Sequence, residues 1–165
     1  MKKILYSIIG IIFLMGILVG CDNSGAEITK QIGETTKNDY FEVTVNSVEV
    51  VNEKKINDYT ELKAEKDAKY LIINVTFKNI DKESRMVFDG SVFIDYNGTK
   101  YEYDHTETIF EEGWGLFLDQ LNPLTSKTTN IVYKIPSEIT GEATYKPERS
   151  SAEFYLGTIK WKRNQ

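Results

Sequence analysis

Cysteine, histidine and proline are scarce in this chain, at one, one and three of 165 residues. A lone cysteine, Cys21, excludes an internal disulfide and any cysteine-based zinc cluster, so the fold must be held by burial alone. The lone histidine, His105, has Asp104, Thr106 and Glu107 as neighbours of a type suited to acid–base work. A histidine metal site would have to recruit scattered carboxylates. A histidine in such a loop is expected to be an ordinary surface residue, and no enzyme activity, metal or cofactor is expected. Sustained helical periodicity is missing, and residues 4–19 are the one long apolar run. Basic residues are outnumbered by acidic ones, 20 to 25, for a net charge of -5. An acidic surface repels nucleic acid and other polyphosphates, so no nucleic-acid partner is expected.

What the chain does have begins at the N-terminus. Lys2 and Lys3 precede the apolar run, and Leu18-Val19-Gly20-Cys21 closes it before polar Asp22, Asn23, Ser24 and Gly25. A basic start, an apolar stretch and a small residue at the cut define a secretory signal. A stop-transfer helix would need about 20 apolar residues and usually a basic stop. Leu18-Val19-Gly20-Cys21 resembles the lipobox of bacterial lipoproteins. That resemblance implies cleavage after Gly20, diacylglyceryl and palmitate chains on Cys21, and a partner in the membrane itself, on the extracytoplasmic side. Two acyl chains hold a protein stably on a bilayer. Loss of residues 1–20 removes Lys2 and Lys3 and takes the charge to -7. A chain of the remaining length forms one domain that buries roughly two thirds of its unfolded surface.

Residues 21–38 are polar and without periodicity beyond Cys21, and read as a flexible tether with its ends about 25 Å apart as a coil and up to about 55 Å when stretched. The domain is expected to occupy residues 39–165. Phe41, Val43 and Val45 alternate with Glu42, Thr44 and Asn46, and Val48 and Val50 follow in shifted phase. This predicts a half-buried strand with a bulge near Asn46-Ser47. Residues 52–69 are highly charged and fit a short helix or a long loop, an ordered loop being the preferred reading. In residues 70–79, YLIINVTFKN, one face carries Leu71, Ile73, Val75 and Phe77 and the other Tyr70, Ile72, Asn74, Thr76 and Lys78, which predicts a central strand. Asn97-Gly98 predicts a tight hairpin, because both residues tolerate positive φ. Residues 104–120 read as irregular and 137–150 as a loop. A strand is expected to end at Pro136, and two short strands to flank Gly157. Seven to eight short strands with turns between them predict an all-β antiparallel sandwich.

The order of four stretches, VTVNSVEVV, YLIINVTFKNIDKE, FIDYNGTKYEY and LNPLTSKTTNIVYKIP, resembles a family of bacterial lipoproteins with a tethered immunoglobulin-like domain of unknown function. That family is related in fold to the mycobacterial secreted immunoprotective antigen. The resemblance implies an immunoglobulin-like sandwich without a disulfide and supplies no catalytic residues. The family usually has Pro-Gly where this chain has Pro123-Leu124, which leaves the turn type there open.

Acidic residues are plentiful, but none stands in a calcium-loop spacing, and Gly113-Trp114-Gly115 lacks the strand-to-helix setting of a dinucleotide loop. Tyr103, Phe110, Trp114 and Phe117 are candidate partner-binding residues, since aromatics on sandwich-end loops are common anchors of recognition. Core packing is the competing role for such rings. The functional expectation is a lipid-anchored, non-enzymatic domain that binds or shields something at the cell envelope, with an envelope protein as candidate partner. The alternative is an inhibitor or immunity module that presents a loop to an enzyme or phage component.

Overall fold

The computed structural model describes residues 28–116 and 119–160, and every regular element among them is a strand. In chain order these are β1 (Ile28–Gln31), β2 (Thr35–Lys37), β3 (Phe41–Val51), β4 (Glu53–Lys55), β5 (Glu61–Lys63) and β6 (Ala68–Asn79). There follow β7 (Arg85–Met86), β8 (Ser91–Tyr96), β9 (Thr99–Tyr103), β10 (Gln120–Leu121), β11 (Ser126–Pro136), β12 (Gly141–Lys146) and β13 (Ala152–Ile159). Two sheets form the sandwich, in the orders β11-β6-β3-β2 and β1-β13-β12-β8-β9. Pairing is antiparallel except where β1 lies parallel to β13.

The alternation of residues 70–79 is realised in β6, which is paired by β11 along one side and β3 along the other. Its Leu71, Ile73, Val75 and Phe77 meet Val92, Ile94, Tyr145 and Phe154 of the facing sheet in the main core. Burying such a side chain contributes roughly 1.5–3 kcal/mol. On the outer face of the same sheet Tyr70 and Ile72 join Val132 and Ile109 in a second cluster, closed by Ile56, Leu62 and Trp114. The register of the four-stranded sheet is marked by polar side chains on that face. Thr35, Thr44, Thr76 and Thr128 stand opposite one another across β2, β3, β6 and β11. Two of their contacts are hydroxyl–hydroxyl hydrogen bonds of 2.8 Å. Cross-strand pairs of this kind fix register, since a one-residue slip would turn every side chain to the wrong face.

The bulge expected at Asn46-Ser47 is present as a register shift between Val45 and Ser47. Asn97 and Gly98 adopt φ 52° and 77° in the tight hairpin of β8 and β9. Other expectations are corrected. Residues 28–31 and 35–37, read as tether, are strands, because each gains a neighbouring strand that a search for apolar alternation does not register. Residues 52–69 contain the β4–β5 hairpin, which lies over the second cluster. Residues 141–146, read as loop, form β12 between β8 and β13, with only Ala143 and Tyr145 pointing inward. Gly157 interrupts no strand: a bulge beside it bends β13, which runs through to Ile159. Residues 22–27, the rest of the expected tether, and 161–165 lie outside the described residues.

The two sheets converge on one turn. Tyr133 of β11 donates from its hydroxyl to the carbonyls of Asp89 and Gly90, each at 3.1 Å, and Tyr145 of β12 donates to the Asp89 carbonyl at 2.6 Å. Burial pushes both phenols well above their ordinary value, helped by Tyr145, Asp89 and Asp104 for Tyr133, and by Asp89 for Tyr145. A folded pKa above the unfolded value of about 10 gives stability that is complete below pH 10 and lost as pH rises beyond it. Tyrosinate absorbance should therefore show these two rings ionising only with alkaline unfolding, and Tyr133→Phe or Tyr145→Phe should make the alkaline loss of stability shallower. Gly141, at φ 133°, has no room for a Cβ, which would collide with the Asp95 carbonyl. Gly141→Ala should lower stability by about 1–3 kcal/mol in urea titration.

Candidate functional site

The expected aromatic group does not assemble into one surface. Tyr103, at the end of β9, is partly buried against the main core, where burial, Tyr101 and Glu138 raise its phenol. Trp114 packs on the second cluster of the opposite sheet, and its flanking Gly113 and Gly115 exchange backbone hydrogen bonds with Asn130. Phe110, 79% exposed, is the member turned to solvent. Phe117 and Cys21 lie outside the described residues. His105 is exposed on the loop after β9. Among the described residues no three His, Cys, Asp or Glu side chains gather closely enough to hold a metal ion.

A concave site lies instead at one end of the sandwich, where β3 begins and β6 ends. It encloses about 230 Å³ over a floor of Phe41, Val43, Phe77 and Val87. Asn38 builds one wall. Its Oδ1 accepts from the backbone N–H groups of Tyr40 and Phe41, while its Nδ2 donates to the Glu148 carbonyl at 3.1 Å. That bond joins the β2–β3 turn to the turn between β12 and β13. Two guanidinium groups share the Tyr40 ring, Arg85 at 4.3 Å and Arg149 at 5.7 Å from its centre, and Arg149 also lies 5.9 Å from the Phe88 ring. Cations over aromatic faces in this range are attracted by the ring quadrupole.

The two arginines differ in electrostatics. Arg85 is ion-paired with Asp81 and Glu83; the pair holds the Asp81 carboxyl below its usual range and raises the guanidinium. Arg149 makes no ion pair among the described residues and projects from an exposed turn at φ 59°. The rim is apolar, with Met86 and Phe88 each 44% exposed. Chemically the site suits an amphiphile: an apolar part over the aromatic floor and an anionic part on Arg149. A wider cleft of about 430 Å³ at the other end is lined by Val48, Leu71, Leu156 and Lys69. Of its two lysines Lys160 is exposed and Lys69 is committed, donating to the carbonyls of Ser137 and Ile139 at 3.1 and 2.7 Å, and burial lowers the Lys69 pKa against the opposing pull of Glu138.

Sequence pattern alone passes over this end because its residues come from four separated segments. One signal was available. Of the 20 basic residues only three are arginine, and two of those, Arg85 and Arg149, meet here. Arginine rather than lysine suits a stacked, planar cation.

Beside the pocket, Asn122-Pro123-Leu124-Thr125 makes a turn in which Thr125 N–H donates to the Asn122 carbonyl at 3.2 Å and Leu124 sits at φ 61°. Leu124 thus occupies the conformation that glycine prefers after proline. Leu124→Gly should raise stability by roughly 1 kcal/mol, read as a shift in the urea midpoint with unchanged slope.

Similar structures agree on the architecture. An uncharacterised β-sandwich protein of Clostridium difficile is 20% identical over 79% of this chain and 95% of that one, with a TM-score of 0.60. A conserved hypothetical protein of Bacillus anthracis is 22% identical over 79% of this chain and 94% of that one, at TM-score 0.53. A candidate lipoprotein of Bacillus subtilis is 20% identical over 74% of this chain and 38% of that one, at TM-score 0.47, too loose a likeness to argue from. No curated protein matches. A family model does match, over residues 30–153, and the chain belongs to that family, described as a domain of unknown function (DUF4352).

Proposed function

We propose that this chain is a membrane-anchored extracytoplasmic lipoprotein whose β-sandwich is a non-enzymatic binding domain, with the end pocket as its binding site. The observation that carries the anchor is Leu18-Val19-Gly20-Cys21 closing an apolar run behind Lys2 and Lys3. Support for binding comes from the concave floor of Phe41, Val43 and Phe77 beneath a rim where Arg149 has no carboxylate partner among the described residues. Preformed apolar pockets with a few converging polar groups are the usual form of a ligand site. The immunoglobulin-like type of the sandwich, and its relation in fold to the mycobacterial antigen, belong to the same proposal and rest on the order of the four quoted stretches.

A second reading, an inhibitor or immunity module, is favoured by one feature. Phe110 is 79% exposed on a long irregular loop, where a partner surface would cover it.

The anchor is tested in the cells that make the protein. Radiolabelled palmitate should enter the wild-type chain and not Cys21→Ala, and the variant should leave the membrane fraction. Equal labelling of both proteins would remove the basis for the anchored reading.

A further inference from the structure

The ordering of β1 shortens the leash. Six residues separate Cys21 from Ile28, and those seven steps span about 25 Å at full stretch. β6, with 12 residues, runs about 40 Å along the sandwich. The leash is therefore too short to pass back along the domain. If Cys21 carries lipid, as proposed above, the end of the sandwich far from Ile28 cannot face the bilayer end-on.

The end that can reach it is identified by strand pairing. Ile28 stands opposite Ala152, the first residue of β13, and β13 follows the turn that carries Arg149. Lys146 of β12 stands opposite Ser91 of β8, which places Phe88 at the same end. Leu121 pairs with Arg85, Ser84 Oγ donates to Asn122 Oδ1, and Leu124 N–H donates to the Asn79 carbonyl at 3.1 Å, which adds the 122–125 turn. Three exposed apolar side chains thus gather there: Met86 and Phe88, each 44% exposed, and Leu124 at 76%. Two of the three non-glycine residues at positive φ among the described residues, Leu124 and Arg149, hold strained conformations at this end, while the third, Asn97, belongs to a hairpin turn that favours it.

We propose that this end docks on the phospholipid layer to which Cys21 is tied, with Met86, Phe88 and Leu124 at the headgroup–acyl boundary and Arg149 on a lipid phosphate. The carboxylates present do not oppose this. Asp81 and Glu83 are engaged by Arg85, and Asp39 and Glu148 are exposed and free to turn to water. The other faces fit poorly. The outer face of the five-stranded sheet presents exposed Asp95 and Glu142, and that of the four-stranded sheet is covered in part by the β4–β5 hairpin. The domain is acidic overall, so the contact depends on the anchor holding it in place rather than on long-range attraction.

The test uses the acylated chain in vesicles of equal parts phosphatidylcholine and phosphatidylglycerol. With Cys21 acylated, a fluorophore can be attached to one introduced thiol, Glu148→Cys at the docking end or Asp67→Cys at the far end. A quencher borne on lipid headgroups should quench the Glu148→Cys label several-fold more than the Asp67→Cys label, and Phe88→Glu with Leu124→Glu should abolish the difference while the unfolding midpoint stays near that of the parent. Equal quenching at both positions, in protein that floats with the vesicles, would overturn the docking and leave the anchor standing. Protein that carries no lipid and does not float would overturn the anchor and the docking together.

Discussion

β6 is the strand on which the rest of the molecule depends, because it is hydrogen-bonded along both edges, buried along its inner face and buried on its outer face at Tyr70 and Ile72. One face fills the space between the sheets; the other needs a cover of its own, which the β4–β5 hairpin and the loop through Ile109 and Trp114 provide. A strand paired along both edges takes its register from two neighbours at once, so that register is over-determined and is shared with β3 and β11. The Thr35, Thr44, Thr76 and Thr128 row is the visible result. Without a disulfide, this doubly covered sheet and the shared turn at Asp89-Gly90 are what fasten the two layers.

The same architecture decides what the ends of the sandwich can be. At one end the core opens between Phe41 and Phe77, beside the Tyr40 ring that ion-paired Arg85 shares with Arg149, which has no carboxylate partner among the described residues. At the opposite end Lys69 is spent on backbone carbonyls, while Lys160 is exposed. The difference arises from surroundings rather than residue type alone: Lys69 is buried where two carbonyls converge, whereas Arg149 is raised on an exposed turn beside aromatic rings.

Much of the framework was legible in the sequence. The alternation in β3 and β6, the bulge at Val45, the Asn97-Gly98 hairpin and the strand closed by Pro136 all follow from local patterns, since period-two burial and turn chemistry act over a few residues. β1, β2 and β12 were not legible. Their residues are polar or nearly so, and they are strands because a neighbouring edge takes up their backbone groups. The site was legible to a smaller degree. Trp114 and Tyr103 look like recognition residues by type, yet the fold sends them to opposite sheets and into packing, while Tyr40, Arg85, Phe88 and Arg149 converge from segments that nothing in the linear order connects.

By itself, then, the sequence determined the absence of a disulfide, the central strands with their buried faces and the lipobox-like stretch ending at Cys21, because each is a property of composition or of neighbours along the chain. Only the tertiary structure decided how much of the expected tether is strand, which aromatic rings are exposed and that Arg85, of the two pocket arginines, is the ion-paired one. Those depend on long-range pairing. The place of Ile28 beside Ala152, and with it the end of the sandwich that a short leash would turn toward a membrane, exists only once the first and last strands have met.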